Sequence, residues 1–171
     1  NDNLRMLELV RSSSTPTVGL CMGEIGTPSR VLAGQFGAAF TFAPFNPEKI
    51  LAPGQIPWKQ LCEIYRYDAI TPSTKVYGVI ADPVGHSLSP VVHNAACAAA
   101  GIDAVYLPFL VPKGHLGDVL KNSKRWPLAG LSVTIPHKEN VVEFASSQGE
   151  LVEEIGAANT ISFDGETRAM K

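Results

Sequence analysis

Two hydrophobic spacings alternate along the chain. Leu4, Leu7, Glu8 and Arg11 recur at helical spacing, and the polar run Ser12-Ser13-Ser14-Thr15-Pro16 ends them, which predicts a short helix over residues 3–11 and then a loop. Residues 17–22 form a compact apolar run that reads as a strand. A turn over residues 23–26 leads into a helix that opens near Pro28, runs through Val31 and Leu32 and closes at Gly37. A second strand is predicted over 38–43, a loop over 44–55, and a helix over 57–67 with Trp58, Leu61, Cys62, Ile64 and Tyr65 facing inward.

After Thr71-Pro72-Ser73, the pattern restarts. Val76, Tyr77, Val79, Ile80 and Ala81 make a buried strand that must stop at Pro83, and a helix follows over residues 90–100, ended by Gly101. Residues 104–110 read as a strand, and Leu116, Val119 and Leu120 as the inward side of a helix closed off by Trp126-Pro127. In AGLSVTIPHKE, Leu131, Val133 and Ile135 alternate with Ser132 and Thr134, so the two hydroxyls share one strand face; Pro136 then opens a helix bearing Val141, Val142 and Phe144. Residues 151–155 finish a helix with Gly156 as its C-cap, and 158–163 form a strand that turns back at Asp164-Gly165.

Strands and helices alternating at this length indicate an α/β fold with parallel βα units, whose ligands sit beyond the carboxyl ends of the strands. The loops to watch are therefore residues 23–30, 44–55 and the stretch after the Lys75 strand. In that last stretch Gly85 permits a tight turn, Ser87 and Ser89 supply hydroxyls, and Ser89 can cap a helix whose first turn holds Pro90. Two readings follow: an ordinary capped helix, or a loop suited to a small polyhydroxylated anion. Arg30 could pair with a carboxylate or be a solvated surface arginine. Lys138 falls in the first turn of its predicted helix, where the macrodipole disfavours a cation, so it is either a proton-exchanging group or a solvent-pointing partner of Glu139 or Glu143. A buried Asn159 would need partners, from a polyol ligand or from backbone amides.

Composition narrows the classes. At 171 residues, 45% apolar and net charge −2, the chain is a packed globule without the basic footprint of a nucleic-acid or membrane-surface binder. No apolar run is long enough to span a bilayer, and the opening NDNLRM is neither a signal peptide nor a natural start, which predicts a longer reading frame. Cys21, Cys62 and Cys97 read as core thiols in a reducing compartment, and His86, His93, His115 and His137 lack a metal-ligand spacing, so no metal is expected.

The run GLCMGEIGTPSRVLAGQFGAAFTF followed by APGQ resembles the C-terminal part of type I 3-dehydroquinate dehydratase, a (β/α)8 barrel. The resemblance implies that residues 1–70 are a partial barrel holding its last two strands, and that Arg30 and Gln55 bind substrate. Leu51 stands where that family has a substrate-contacting serine. The family's Schiff-base lysine has no counterpart here. Residues 71–74 are then a linker.

DPVGHSLSPVVHN, SVTIPHKE and IGAANTI, in this order, resemble the N-terminal substrate-binding domain of shikimate dehydrogenase, with a mostly parallel sheet, covering residues 75–171. By that resemblance Ser87, Ser89, Thr134 and Asn159 hold shikimate or 3-dehydroshikimate and Lys138 is catalytic. Ser132 stands where many bacterial members have Asn and plant-type fused enzymes have Ser. The implied parent reaction is NADPH-dependent reduction of 3-dehydroshikimate to shikimate, joined to dehydroquinate dehydration, in the cytoplasm or in a plastid. The family's aspartate partner of the lysine would lie just past Lys171, and no G-x-G-x-x-G loop for NADP occurs, so the chain alone is expected to be inactive and to work with the remainder of its own polypeptide. The alternative is a non-catalytic quinate- or shikimate-sensing regulator, since fungal quinate-pathway repressors resemble both domains.

Overall fold

The computed structural model describes residues 2–164 and 167–170. Its sheet grows from the apolar run at the centre of the chain. β1 (Lys75–Ala81) carries Val76, Val79, Ile80 and Ala81, all buried, and pairs in parallel with β2 (Ala104–Leu110) on one side and β3 (Leu128–Val133) on the other. Runs with no polar alternation are what a strand covered on both faces requires. The sheet is completed by β5 (Thr160–Asp164), antiparallel to β3; β6 (Thr167–Met170), antiparallel to β5; and the short β4 (Ser147–Gln148), parallel to β6, in the order β2-β1-β3-β5-β6-β4. The tip of the β5–β6 hairpin, where the sequence predicts a turn at Gly165, lies outside the described residues.

α4 (Ser89–Ala99) links β1 to β2, and α5 (Leu116–Lys121) links β2 to β3. α4 ends as the sequence predicts: Gly101 has φ +66°, its N–H donates to Ala98, and the Ile102 N–H reaches back to Cys97, the paired bonds of a Schellman stop. α6 (Glu150–Ile155) ends at Gly156, φ +71°, in the same left-handed conformation. β1 lies between β2 and β3, and in sheets of this kind the crevice that takes the ligand lies beyond the carboxyl ends of such central strands.

The first segment contributes α1 (Asp2–Ser12), α2 (Thr27–Val31) and α3 (Trp58–Glu63). Leu4, Leu7, Val31, Leu32, Phe36 and Leu61 join Val105, Leu107, Phe109 and Leu131 of the sheet in one continuous apolar cluster. Glu8 and Arg125 form a two-pronged ion pair across the junction, with the Arg125 Nε 2.9 Å from Glu8 Oε1. Residues 71–74 are pinned: Thr74 Oγ1 donates to Asp103 at 2.7 Å, and its carbonyl accepts from Gln35 at 2.8 Å.

Several local expectations fail here. Residues 17–22 and 38–43 form no strand, and Ala39 lies in a bend; the Ala39 N–H donates to the Thr17 carbonyl at 3.2 Å, and no third strand lies beside them among the described residues. Strand segments hold poorly without neighbours on both edges. α3 stops at Glu63, and Trp58 is exposed, stacked on Phe45, instead of facing the core. The helix predicted from Pro136 is a 3-10 segment, Asn140–Phe144, preceded by turns. The cysteines are unpaired and half-buried, not core residues; burial pushes the Cys21 thiol up from its ordinary value.

Candidate functional site

At the carboxyl end of β1, the Asp82 N–H donates to the Ile135 carbonyl and the Ala81 carbonyl accepts from the Val111 N–H. The chain then turns, the Ser87 N–H reaching the Val84 carbonyl at 3.0 Å, and enters α4. Ser89 does not cap that helix: Leu88 precedes it with no side-chain cap, and Ser87 Oγ accepts the Ser89 N–H at 3.3 Å. Pro90 occupies the first turn, and both serines are half-buried. The Ser89 hydroxyl is thereby released to bond elsewhere.

Near it lies Tyr106 on β2. Tyr106 is 5% exposed and its hydroxyl donates to Ser132 Oγ at 2.8 Å, while the Ser89 side chain lies nearby. Burial raises its pKa, with the two serine hydroxyls opposing, so the ring stays a neutral donor–acceptor between α4 and β3. The sequence reading missed it. The available signal was an aromatic hydroxyl inside a buried parallel strand, since such a group needs a polar partner. Tyr106→Phe would leave the ring packed but remove the hydrogen bond to Ser132; the expected result is a rise of about 3- to 10-fold in KM for the ligand, about 1 kcal/mol, with the melting temperature little changed.

Thr134 follows the last residue of β3, half-buried, its N–H donating to the Ile80 carbonyl at 3.2 Å. Ile135 does not continue the inward alternation and is 72% exposed, because β3 has ended and the chain is turning. Lys138 sits in that turn, exposed and without an ion-pair partner among the described residues; no α-helix begins there, so the macrodipole argument does not apply. Its carbonyl accepts the Ala158 N–H at 2.8 Å, and the next residue's carbonyl, that of Asn159, accepts the Val133 N–H at 2.7 Å. These two backbone bonds bring Lys138 and Asn159 to one rim. Asn159 lies before β5 and is exposed, not buried; its Oδ1 accepts from the Thr160 hydroxyl at 2.8 Å.

The structure thus gathers Ser87, Ser89, Ser132, Thr134, Lys138 and Asn159 around the crevice between β1 and β3. Arg30 and Gln55 are not part of it. Arg30 is 2% exposed, not a surface residue; its Nε has no partner, one terminal nitrogen lies 3.6 Å from Met22 Sδ, and burial pulls its pKa down. Gln55 Oε1 accepts from the Leu51 and Ala52 N–H groups, closing its own loop. That loop packs on the turn before α2 through a bond from the Gly23 N–H to the Pro53 carbonyl. Glu24, on that turn, reaches the serine loop: a Cβ built on Gly85 would lie 2.7 Å from Glu24 Oε1.

Hydroxyls on one side, a lysine ammonium and an amide on the other, suit a small hydroxylated carboxylic acid. A nicotinamide dinucleotide does not fit the residues present. The two βα turns each hold a single glycine, Gly85 and Gly114, where a pyrophosphate cradle needs several.

Comparison with known proteins agrees with this geometry. Residues 79–161 match the family model described as the shikimate dehydrogenase substrate binding domain, and residues 1–72 match that of type I 3-dehydroquinase. By these matches the chain is similar to a 3-dehydroquinase over its first segment and to a shikimate dehydrogenase substrate-binding domain over its second. The chain is 41% identical over 160 residues, 94% of its length, to the chloroplastic bifunctional 3-dehydroquinate dehydratase/shikimate dehydrogenase of Arabidopsis thaliana. It is 52% identical over 88 residues, 52% of its length, to the shikimate dehydrogenase (NADP(+)) of Thermococcus kodakarensis. A solved Listeria monocytogenes shikimate 5-dehydrogenase in complex with shikimate and NAD superposes with a TM-score of 0.57 at 38% identity, over 59% of this chain and 35% of that one. Over both segments the chain is thus similar to the bifunctional 3-dehydroquinate dehydratase/shikimate dehydrogenase, and over residues 79–161 to shikimate dehydrogenases. It spans 26% of the length of the Arabidopsis relative and 32% of the Thermococcus one. Among the described residues no helix is long and apolar enough to cross a membrane.

Proposed function

We propose that this chain supplies the shikimate-binding side of an NADP-dependent shikimate dehydrogenase whose polypeptide also dehydrates 3-dehydroquinate. The observation that carries the reading is the convergence of two serines, a threonine, a lysine and an asparagine from three separate segments on one crevice, in a chain matched to that substrate-binding family over residues 79–161. Ser87 and Ser89 hold the substrate carboxylate, Ser132, Thr134 and Asn159 orient ring hydroxyls, and Lys138 exchanges the proton at the reacting oxygen while its charge stabilises developing alkoxide. We divide the chain at residues 71–74, with the dehydratase segment before and the substrate domain after. Arg30 and Gln55 serve the dehydratase site. The protein works in the cytoplasm, or in a plastid if its source is a plant.

The test is expression of the complete reading frame and assay of shikimate-dependent NADP+ reduction. Activity is expected, and Ser87→Ala/Ser89→Ala should raise the KM for shikimate about tenfold or more while kcat stays within about threefold, as befits lost ground-state contacts. Shikimate binding without any turnover would turn the assignment toward a sensor of the same ligand.

A further inference from the structure

We propose that Asn94 is a positioning residue for the ligand site, acting through Tyr106; the inference rests on the shikimate-site reading above. Asn94 lies on α4, five residues after Ser89, and is 3% exposed. Its amide Nδ2 donates to the Tyr106 carbonyl at 2.8 Å and its Oδ1 accepts the Tyr106 N–H at 2.8 Å. One side chain therefore satisfies both backbone groups of one strand residue, as a neighbouring strand would.

The location explains the arrangement. β2 is the edge of the sheet, with β1 on its inner side, so the outward N–H and C=O of Tyr106 have no strand to meet. Asn94 closes that edge and, in doing so, fixes the depth of α4 against β2. Ser89 begins the same helix, so that fit also sets its position relative to Tyr106, whose hydroxyl donates to Ser132 on β3. The ring of His93 stacks on Tyr106 at 4.3 Å and 13°, covering the phenol from the same helix. The amide thus sets three hydroxyls in register without itself facing the crevice.

Asn is needed for both functions at once. Aspartate offers two acceptors and, when ionised, no donor for the Tyr106 carbonyl; alanine offers neither group. The experiment is steady-state shikimate oxidation by the complete enzyme. Asn94→Ala is expected to raise the KM for shikimate about tenfold, leave the KM for NADP+ unchanged and keep kcat within about threefold. In a Tyr106→Phe background the same substitution should raise the KM by less than about twofold further, because the network it supports is already cut.

Asn94→Asp provides a second reading that does not depend on the alanine variant folding. Its KM defect should shrink as pH is lowered from about 8 to about 6, since a buried carboxyl beside a carbonyl protonates readily and then donates as the amide does. Full multiplication of the Asn94→Ala and Tyr106→Phe effects, a kcat loss with unchanged KM, or a pH-independent Asn94→Asp defect would each overturn the proposal. Absence of shikimate-dependent turnover in the unmutated enzyme would remove the functional reading and this inference together, whereas an active enzyme with additive variants removes only the latter.

Discussion

Lys138→Ala in the complete enzyme is expected to lower kcat for shikimate oxidation more than about a hundredfold, about 3 kcal/mol of barrier, while shikimate affinity changes less than about threefold. Ser87 and Ser89, proposed to hold the carboxylate, lie in the loop after β1, whereas Lys138 sits on the turn after β3, so on that proposal the carboxylate contacts and the proton exchange rest on separate segments. Exposed and free of an ion-pair partner among the described residues, its ammonium loses no protein contact when truncated. The loss should therefore appear in the rate. Lys138→Arg separates the two contributions: the guanidinium keeps the cation but does not release a proton, so the variant should stay at least about tenfold below the parent. A Lys138→Ala rate within a few-fold of the parent would sink the role given to this residue.

The largest expected loss of stability is at Gly78, in the middle of β1. A Cβ there would lie 2.5 Å from the Leu107 carbonyl oxygen and 2.5 Å from a ring carbon of Phe109. The ring could turn, but Leu107 is the register partner of Gly78 in β2, so its carbonyl cannot move without opening the ladder. Gly78→Ala should destabilise the fold by about 3 kcal/mol and lower the melting temperature by about 10 °C. Gly149→Ala, where an added Cβ meets nothing within 4 Å, is the matched control and should shift the midpoint little. Equal midpoints for the two variants, read by thermal unfolding, would overturn this account of the β1–β2 contact.

Much of the substrate domain was legible residue by residue because its signals are local. The apolar runs of β1 and β2 end just before Pro83 and Pro112, and Gly101 and Gly156 adopt the positive φ that a helix stop demands. The motif residues Ser87, Ser89, Ser132, Thr134, Lys138 and Asn159 were legible as a set through resemblance to a family, and their assembly at one crevice follows from the 2-1-3 strand order. The first segment was less legible. Residues 17–22 and 38–43 have strand composition, yet a strand is defined by its neighbours, and composition does not supply them.

The sequence by itself determined the apolar runs that become β1, β2 and β3, the glycines that permit a left-handed helix stop at Gly101 and Gly156, and the loop that carries Ser87 and Ser89. Tertiary structure alone decided the partners. It bonded the Ser89 N–H to Ser87 and the Tyr106 hydroxyl to Ser132, buried Arg30, exposed Ile135 and Trp58, and set Asn94 across the open edge of β2. The reason is that a hydrogen bond or a buried contact depends on which distant segment arrives opposite a residue. Helical and strand periods fix the direction of a side chain relative to its own backbone and carry no information about what it will face.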